Sequence, residues 1–162
     1  MTTTEEFIQI VRNPVKFRLF LLSKLPSAYF SGVRVRYIDE THCKVTIPFK
    51  WFSQNPFRST YFACLSMAAE MSTGALAMAH LHKRKPPVSM LVVKVESEYF
   101  KKATGLTTFI CTDGELLRQA IEETIRTGEP ASVRVASAGL NSKEETVALF
   151  HITWSFKVKS QK

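Results

Sequence analysis

The chain has 162 residues, 45% of them hydrophobic and 22% charged, the size and balance of one globular domain that buries a core without help from disulfides. No low-complexity or acidic block pulls any part toward disorder. The net charge is +8, yet the basic residues are dispersed apart from Lys83-Arg84-Lys85, and no aromatic-and-arginine pattern of a nucleic-acid module accompanies them. A solvated surface or a site for an anionic, nucleotide-bearing molecule accounts for that charge better than nucleic acid does.

Thr3-x-x-Glu6 offers a capping box for a first short helix, and Asn13-Pro14 supplies an N-cap with proline at N1 for a second that runs to about Leu25, where Pro26 stops it. Val15, Leu19, Leu22 and Leu25 lie on one side of this second helix, broadened by Phe17, Phe20 and Leu21, so the element is expected to cover a face of the core. From Gly32 the period changes to two. Val33, Val35 and Tyr37 alternate with Arg34 and Arg36, then Cys43, Val45 and Ile47 with Lys44 and Thr46, predicting two strands joined near Asp39-Glu40-Thr41.

Pro48 closes the second strand, and an aromatic loop over 49–53 leads to Asn55-Pro56, which reads as the start of a long helix near residues 56 to 82. This helix has no clear polar face and is expected to be buried nearly all round, with Glu70 its one buried charge. A membrane span is the rival explanation. Ala, Ser and Thr dominate the stretch, Glu70 sits at its middle and ordinary globular strands flank it, all of which argue against a span. Strands follow at about 89–101 and 104–112, hinged at Ala103-Thr104-Gly105. Thr112-x-x-Glu115 then caps a helix over about 115–127 with Leu117, Ile121 and Ile125 inward and Gly128 past its end. Two more strands are expected at about 130–139 and 145–158, the last with Phe150, Ile152, Trp154, Phe156 and Val158 on one face. Lys159 to Lys162 read as a frayed tail.

A helix buried all round needs a sheet that curls about it, because a flat sheet covers only one side. The expected fold is therefore α+β of the hotdog kind: an antiparallel sheet of about six strands around a central helix. Residues 1–162 form a single domain, with 1–28 a helical segment packed on the core. Such a domain leaves a sheet edge and part of its helix open, so a homodimer or a dimer of dimers is expected. Cys43, Cys64 and Cys111 show no metal or disulfide spacing, and the acidic, polar start is the reverse of an export signal, so a cytoplasmic protein with reduced thiols is expected.

Residues 55–70 resemble the acyl-CoA thioesterases of the phenylacetate type in the hotdog superfamily, and a less characterised thioesterase-like branch of it. That motif sets an Asn in a loop, a His-Gly-Gly six residues on at the helix start, and an Asp or Glu nine beyond the His. Here Asn55, Tyr61-Phe62-Ala63 and Glu70 keep both intervals, while Tyr-Phe-Ala stands in place of His-Gly-Gly. The resemblance implies a thioester hydrolase with Glu70 as base or nucleophile, the amides of Phe62 or Ala63 as oxyanion donors, and Asn55 and Tyr61 as orienting groups. It implies no resident cofactor and no metal, coenzyme A entering as part of an acyl-CoA or acyl-carrier substrate. Lys83, Arg84, Lys85, Lys101 and Lys102 are the candidates for its phosphates.

Each residue also has a plainer reading. Glu70 can pair with a buried cation or accept from a Tyr or Ser, Asn55 can be an N-cap, Tyr61 a core aromatic, and the lysine cluster a solvated turn. The replaced His-Gly-Gly favours, as the alternative, a non-catalytic acyl-CoA or fatty-acyl binding protein. A hotdog dehydratase is disfavoured because that chemistry pairs a His with the acid and none lies between His42 and His80. His80-x-His82 is a poor metal pair, since residues two apart on a helix point apart. Cys64 and Ser66 read as core.

Overall fold

A computed structural model describes residues 1–160; Gln161 and Lys162 of the expected tail lie outside the described residues. Three short helices open the chain: α1 (Thr3–Arg12), α2 (Pro14–Lys24) and α3 (Pro26–Ser31). The first capping box sits one residue earlier than expected, Thr2 accepting from the Glu5 amide and Glu5 from the Thr2 amide. Asn13 caps α2 as expected, through the Lys16 amide at 3.0 Å. Pro26 does not simply stop the second helix; it occupies N1 of α3, where a proline lacks no needed N–H. The face of α2 turned to the core is Phe17 and Leu21, whereas Val15, Leu19, Leu22 and Leu25 are exposed, the reverse of the expected stripe.

Six strands follow: β1 (Arg34–Ile38), β2 (Cys43–Ile47), β3 (Val88–Tyr99), β4 (Thr107–Cys111), β5 (Ala131–Leu140) and β6 (Thr146–Val158). They form one antiparallel sheet in the order β1-β2-β4-β5-β6-β3. The alternation expected across the first strand breaks at a bulge between Val35 and Tyr37, which turns Tyr37 outward and Ile38 into the core. Asp39 closes the β1–β2 turn by accepting from the Thr41 and His42 amides, each at 2.7 Å. β3 and β4, consecutive in the chain, do not pair. β3 crosses to the far edge beside β6, so the expected hinge at Ala103-Thr104-Gly105 lies in a crossing, residues 100–106, between strands that are not neighbours.

The sheet wraps the central helix α4 (Phe62–Leu81). Phe109, Phe150, Ile152 and Phe156 are fully buried against it, each such side chain contributing about 1.5–3 kcal/mol by leaving water. By length and composition α4 could cross a membrane, but two of its hydroxyls are bonded to the sheet inside the domain: Ser72 meets Ser137 at 2.7 Å and Trp154 donates to Thr73 at 2.9 Å. The amphipathic helix α5 (Gly114–Thr127) packs on the same core with Leu117 and Ile121 fully buried and Ile125 partly so, and it ends on Gly128 at φ 76°. The capping box expected at Thr112 and Glu115 does not form. Asp113 takes the N-cap place and turns its carboxylate to the Ala136 amide, 2.8 Å away.

The two sheet edges differ. Arg12 donates twice to the Ile38 carbonyl at the β1 edge, at 3.0 and 2.8 Å. β3 has strand contact only with β6, and Leu91 stands 65% and Val95 49% exposed on it. Within the chain this long edge, with its apolar side chains, has no strand partner on its outer side.

Candidate functional site

The loop before α4 is built by Asn55. Its Oδ1 accepts from the Phe57 amide at 2.9 Å, the Ser59 amide at 3.2 Å and the Ser59 hydroxyl at 3.2 Å, while Nδ2 donates to Ser59 Oγ at 3.0 Å. Asn55 therefore closes a turn and does not cap a helix, which is why α4 begins at Phe62 and not at the Asn55-Pro56 pair. Thr60 then ties to the Ala103 carbonyl and the Tyr61 amide to Ser53. Tyr61 is the extended N-cap residue of α4 and gives no side-chain cap.

The consequence is a helix end with open donors. Cys64 and Leu65 donate to the Tyr61 carbonyl, whereas the amides of Phe62 and Ala63 have no acceptor among the described residues. These amides carry the positive end of the α4 dipole, which suits a developing oxyanion. The helix start opens on a groove of about 480 Å³ lined by Asn55, Tyr61, Phe62, Tyr99, Lys101 and Lys102, among others. Five of the residues expected from the sequence thus come together. Lys101 and Lys102 continue into an adjoining depression with Lys143.

Glu70 is not in that groove. It lies eight residues along α4 from Phe62, about 12 Å of helix rise, and lines two other depressions. One is bounded by Lys24, Leu25, Met67 and Met71, the other by Phe17, Phe20, Gly74, Met78 and Met90. Its carboxylate has no ion pair and no hydrogen bond among the described residues, where only its backbone carbonyl is used. Burial among apolar side chains pushes the carboxyl above its usual range. The reading in which Glu70 is locked to a cation is therefore not what the structure holds.

Lys83, Arg84 and Lys85 are at the opposite end of α4 from the groove. Lys83 pairs with Glu6, and Arg84 with Glu122 and the His80 carbonyl. They do not join the other expected site residues. His80 Nε2 meets the Glu40 carbonyl at 2.9 Å, with burial holding its pKa down, and no group of three potential metal ligands gathers among the described residues. Cys64 lies against Ser31 Oγ, and Ser66 donates to the Phe62 carbonyl, so neither is poised as a nucleophile.

Sequence reasoning missed Tyr99, Phe100 and Leu65 in the groove, and Met90, Phe17 and Phe20 beside Glu70. The adjacency of Tyr99-Phe100 to Lys101-Lys102 was a visible signal, but only the strand order carries that segment to the helix start.

Solved structures of low identity share this architecture. A Pseudomonas aeruginosa protein of unknown function, described as a probable thioesterase, superposes with a TM-score of 0.76 at 19% identity, over 90% of this chain and 97% of its own. A Chlorobaculum tepidum protein of unknown function gives 0.71 at 18% identity, over 90% and 97%. A Haemophilus influenzae thioesterase gives 0.64 at 10% identity, over 89% and 90%. These likenesses establish the hotdog fold. Among curated proteins, none matches the sequence. The family model of a domain of unknown function, DUF4442, matches residues 16–156, and the chain belongs to that family.

Proposed function

We propose that this protein hydrolyses an acyl thioester, with coenzyme A or a carrier as the thiol, and that it does so as a homodimer. The observation that carries the reading is Glu70: an unpaired carboxylate, half-buried on the central helix, with its pKa raised by burial alone. A raised carboxyl pKa lies closer to the working range of a general base. Glu70 takes a proton from water as the water attacks the thioester carbonyl, the Phe62 and Ala63 amides hold the oxyanion, and the thiol departs as the tetrahedral intermediate collapses. Direct attack by the carboxylate, giving an anhydride that water then opens, uses the same groups. The thioesterases among the structural relatives support the class of reaction.

A dimer supplies what one chain lacks. Met90, near the start of β3, borders the Glu70 cleft, and Tyr99, at its end, borders the helix-start groove. Two copies that pair antiparallel along the open β3 edge bring the start of one strand beside the end of the other. Glu70 of one copy then faces the helix start of its partner. Asn55, whose hydrogen bonds are taken up by its own loop, acts as a positioning residue, and Lys101 and Lys102 at the groove bind the phosphates of coenzyme A.

The Tyr61-Phe62 pair favours a second reading, an acyl-binding protein without turnover. Their rings stand 4.9 Å apart across the helix start, where two small residues would leave more room for a carbonyl. The experiment that decides is thiol release from a panel of acyl-CoA thioesters by the wild type and by Glu70→Gln. A loss of about 10²–10⁴-fold in the variant is expected for a general base. Equal turnover in both refutes the role of Glu70, and binding without turnover in either selects the acyl-binding reading.

A further inference from the structure

The outward face of α2 has no partner in the fold. α2 buries Phe17 and Leu21, and on its other side Val15, Leu19 and Leu22 recur at helical spacing in the open, Leu19 being 61% exposed. A helix that is apolar on both sides calls for cover on both. The neighbouring elements extend the apolar surface. α3 packs on α2 and on the 51–53 turn; the exposed Phe30 stacks on Phe52 at 5.7 Å, and Trp51, 79% exposed, stands edge-on to Phe52 at 5.7 Å.

The charge carried by these elements has one sign, and the acid that borders them, Glu70, is half-buried in the cleft beside Lys24 and Leu25. Residues 7–69 hold nine Lys or Arg against two acids, Asp39 and Glu40, and both acids line a depression with α1 residues Glu5, Gln9 and Arg12. α2, α3 and the 51–53 turn contain no acid at all. Lys16 and Lys24 belong to α2, and Lys50 immediately precedes the turn.

We infer that this face docks on an anionic lipid bilayer, with Val15, Leu19 and Leu22 entering the acyl boundary, Trp51 at headgroup level and Lys16, Lys24 and Lys50 on lipid phosphates. Charge complementarity selects that occupant. A second copy seated here would oppose two acid-free cationic faces. An acidic protein would answer the lysines but not the exposed Trp, Phe and Leu side chains, which suit the membrane interface. Leu25, at the end of α2, also borders the Glu70 cleft, so docking brings that cleft near the lipid. The inference stands apart from the thioester reading, since it rests on a different surface.

Vesicle co-sedimentation of the full chain tests it, with phosphatidylcholine alone and with phosphatidylglycerol added. Binding is expected only to the phosphatidylglycerol vesicles, weakening as salt rises. Trp154 is buried and Trp51 exposed, so a blue shift of tryptophan emission on binding reports entry of Trp51. Leu19→Gln combined with Leu22→Gln, both at exposed positions, is expected to weaken binding by about tenfold or more while leaving the thermal melt unchanged. No sedimentation with either vesicle overturns the inference, as does equal binding to both. A variant that changes the oligomeric state in solution without any vesicle binding assigns the face to a second copy and overturns it too.

Discussion

The indole N–H of Trp154 on β6 donates to the Thr73 hydroxyl on α4 at 2.9 Å in the core, and that hydroxyl donates onward to the Glu70 carbonyl at 2.9 Å. One side chain thus pins the sheet to the helix at the turn that carries Glu70. Thr73→Val keeps the shape and strands the indole N–H. A loss of about 1–3 kcal/mol in urea unfolding is expected, the cost of a buried donor without an acceptor. An unchanged midpoint would show that the indole finds another partner.

Glu70 itself is expected to cost stability at neutral pH. Its folded pKa is raised by burial, so between the unfolded and folded values the native state holds the extra proton. Stability linked to Glu70 is then full below the ordinary carboxylate range and is lost as pH rises through the folded pKa. Glu70→Gln should melt higher than the wild type at neutral pH, with the difference shrinking as pH falls through that window. A difference that does not change with pH would mean that Glu70 titrates as it does in the unfolded chain. If Glu70 acts as the base, the acid limb of the rate profile should also lie above the usual carboxylate range.

Asn55 separates a structural from a direct role. Asn55→Ala removes the acceptor for the Phe57 and Ser59 amides and should cost about 1–2 kcal/mol, with turnover falling as the helix start loses its placement. Asn55→Asp keeps that acceptor and is expected to recover most of both. If the Asp variant recovers stability and not turnover, the carboxamide itself acts on the substrate.

The sequence carried the architecture further than the site. Period-two and helical patterning located all six strands and the two longest helices, because alternate burial on a sheet and the apolar run of α4 are local signals. Three features escaped for physical reasons. The Val35–Tyr37 bulge shifts phase without any Gly or Pro to mark it. α2 is apolar on both sides, so composition cannot say which side faces in, and the structure buries Phe17 and Leu21. Asn55 followed by Pro56 is chemically as apt for a turn as for a cap, and the choice was made by Ser59, four residues on. For the site, the spacing of Asn55, Tyr61 and Glu70 was legible. The fact that one chain holds Glu70 and the helix start in separate clefts was not, since the walls of those clefts come from α2, β3 and the 100–103 segment, all remote in sequence.

That separation gives the sharpest prediction. If each site joins Glu70 of one copy to the helix start of the other, two inactive variants should complement. Glu70→Gln removes the carboxylate. Ala63→Pro removes one open amide at the second helical position, within the first turn, where proline is tolerated. In a mixed dimer one site carries both defects and the other carries neither. Unfolding and reassembling the two variants in equal amounts should then restore about a quarter of the wild-type rate, since half of the random dimers are mixed and each has one intact site. Val95→Glu on the open β3 edge should abolish the dimer and the turnover together, measured by light scattering and thiol release, although both halves of the site persist in each chain. Turnover by a monomeric Val95→Glu variant, or a mixture no more active than its parts, would place the whole site within one chain and remove the need for the β3 pairing.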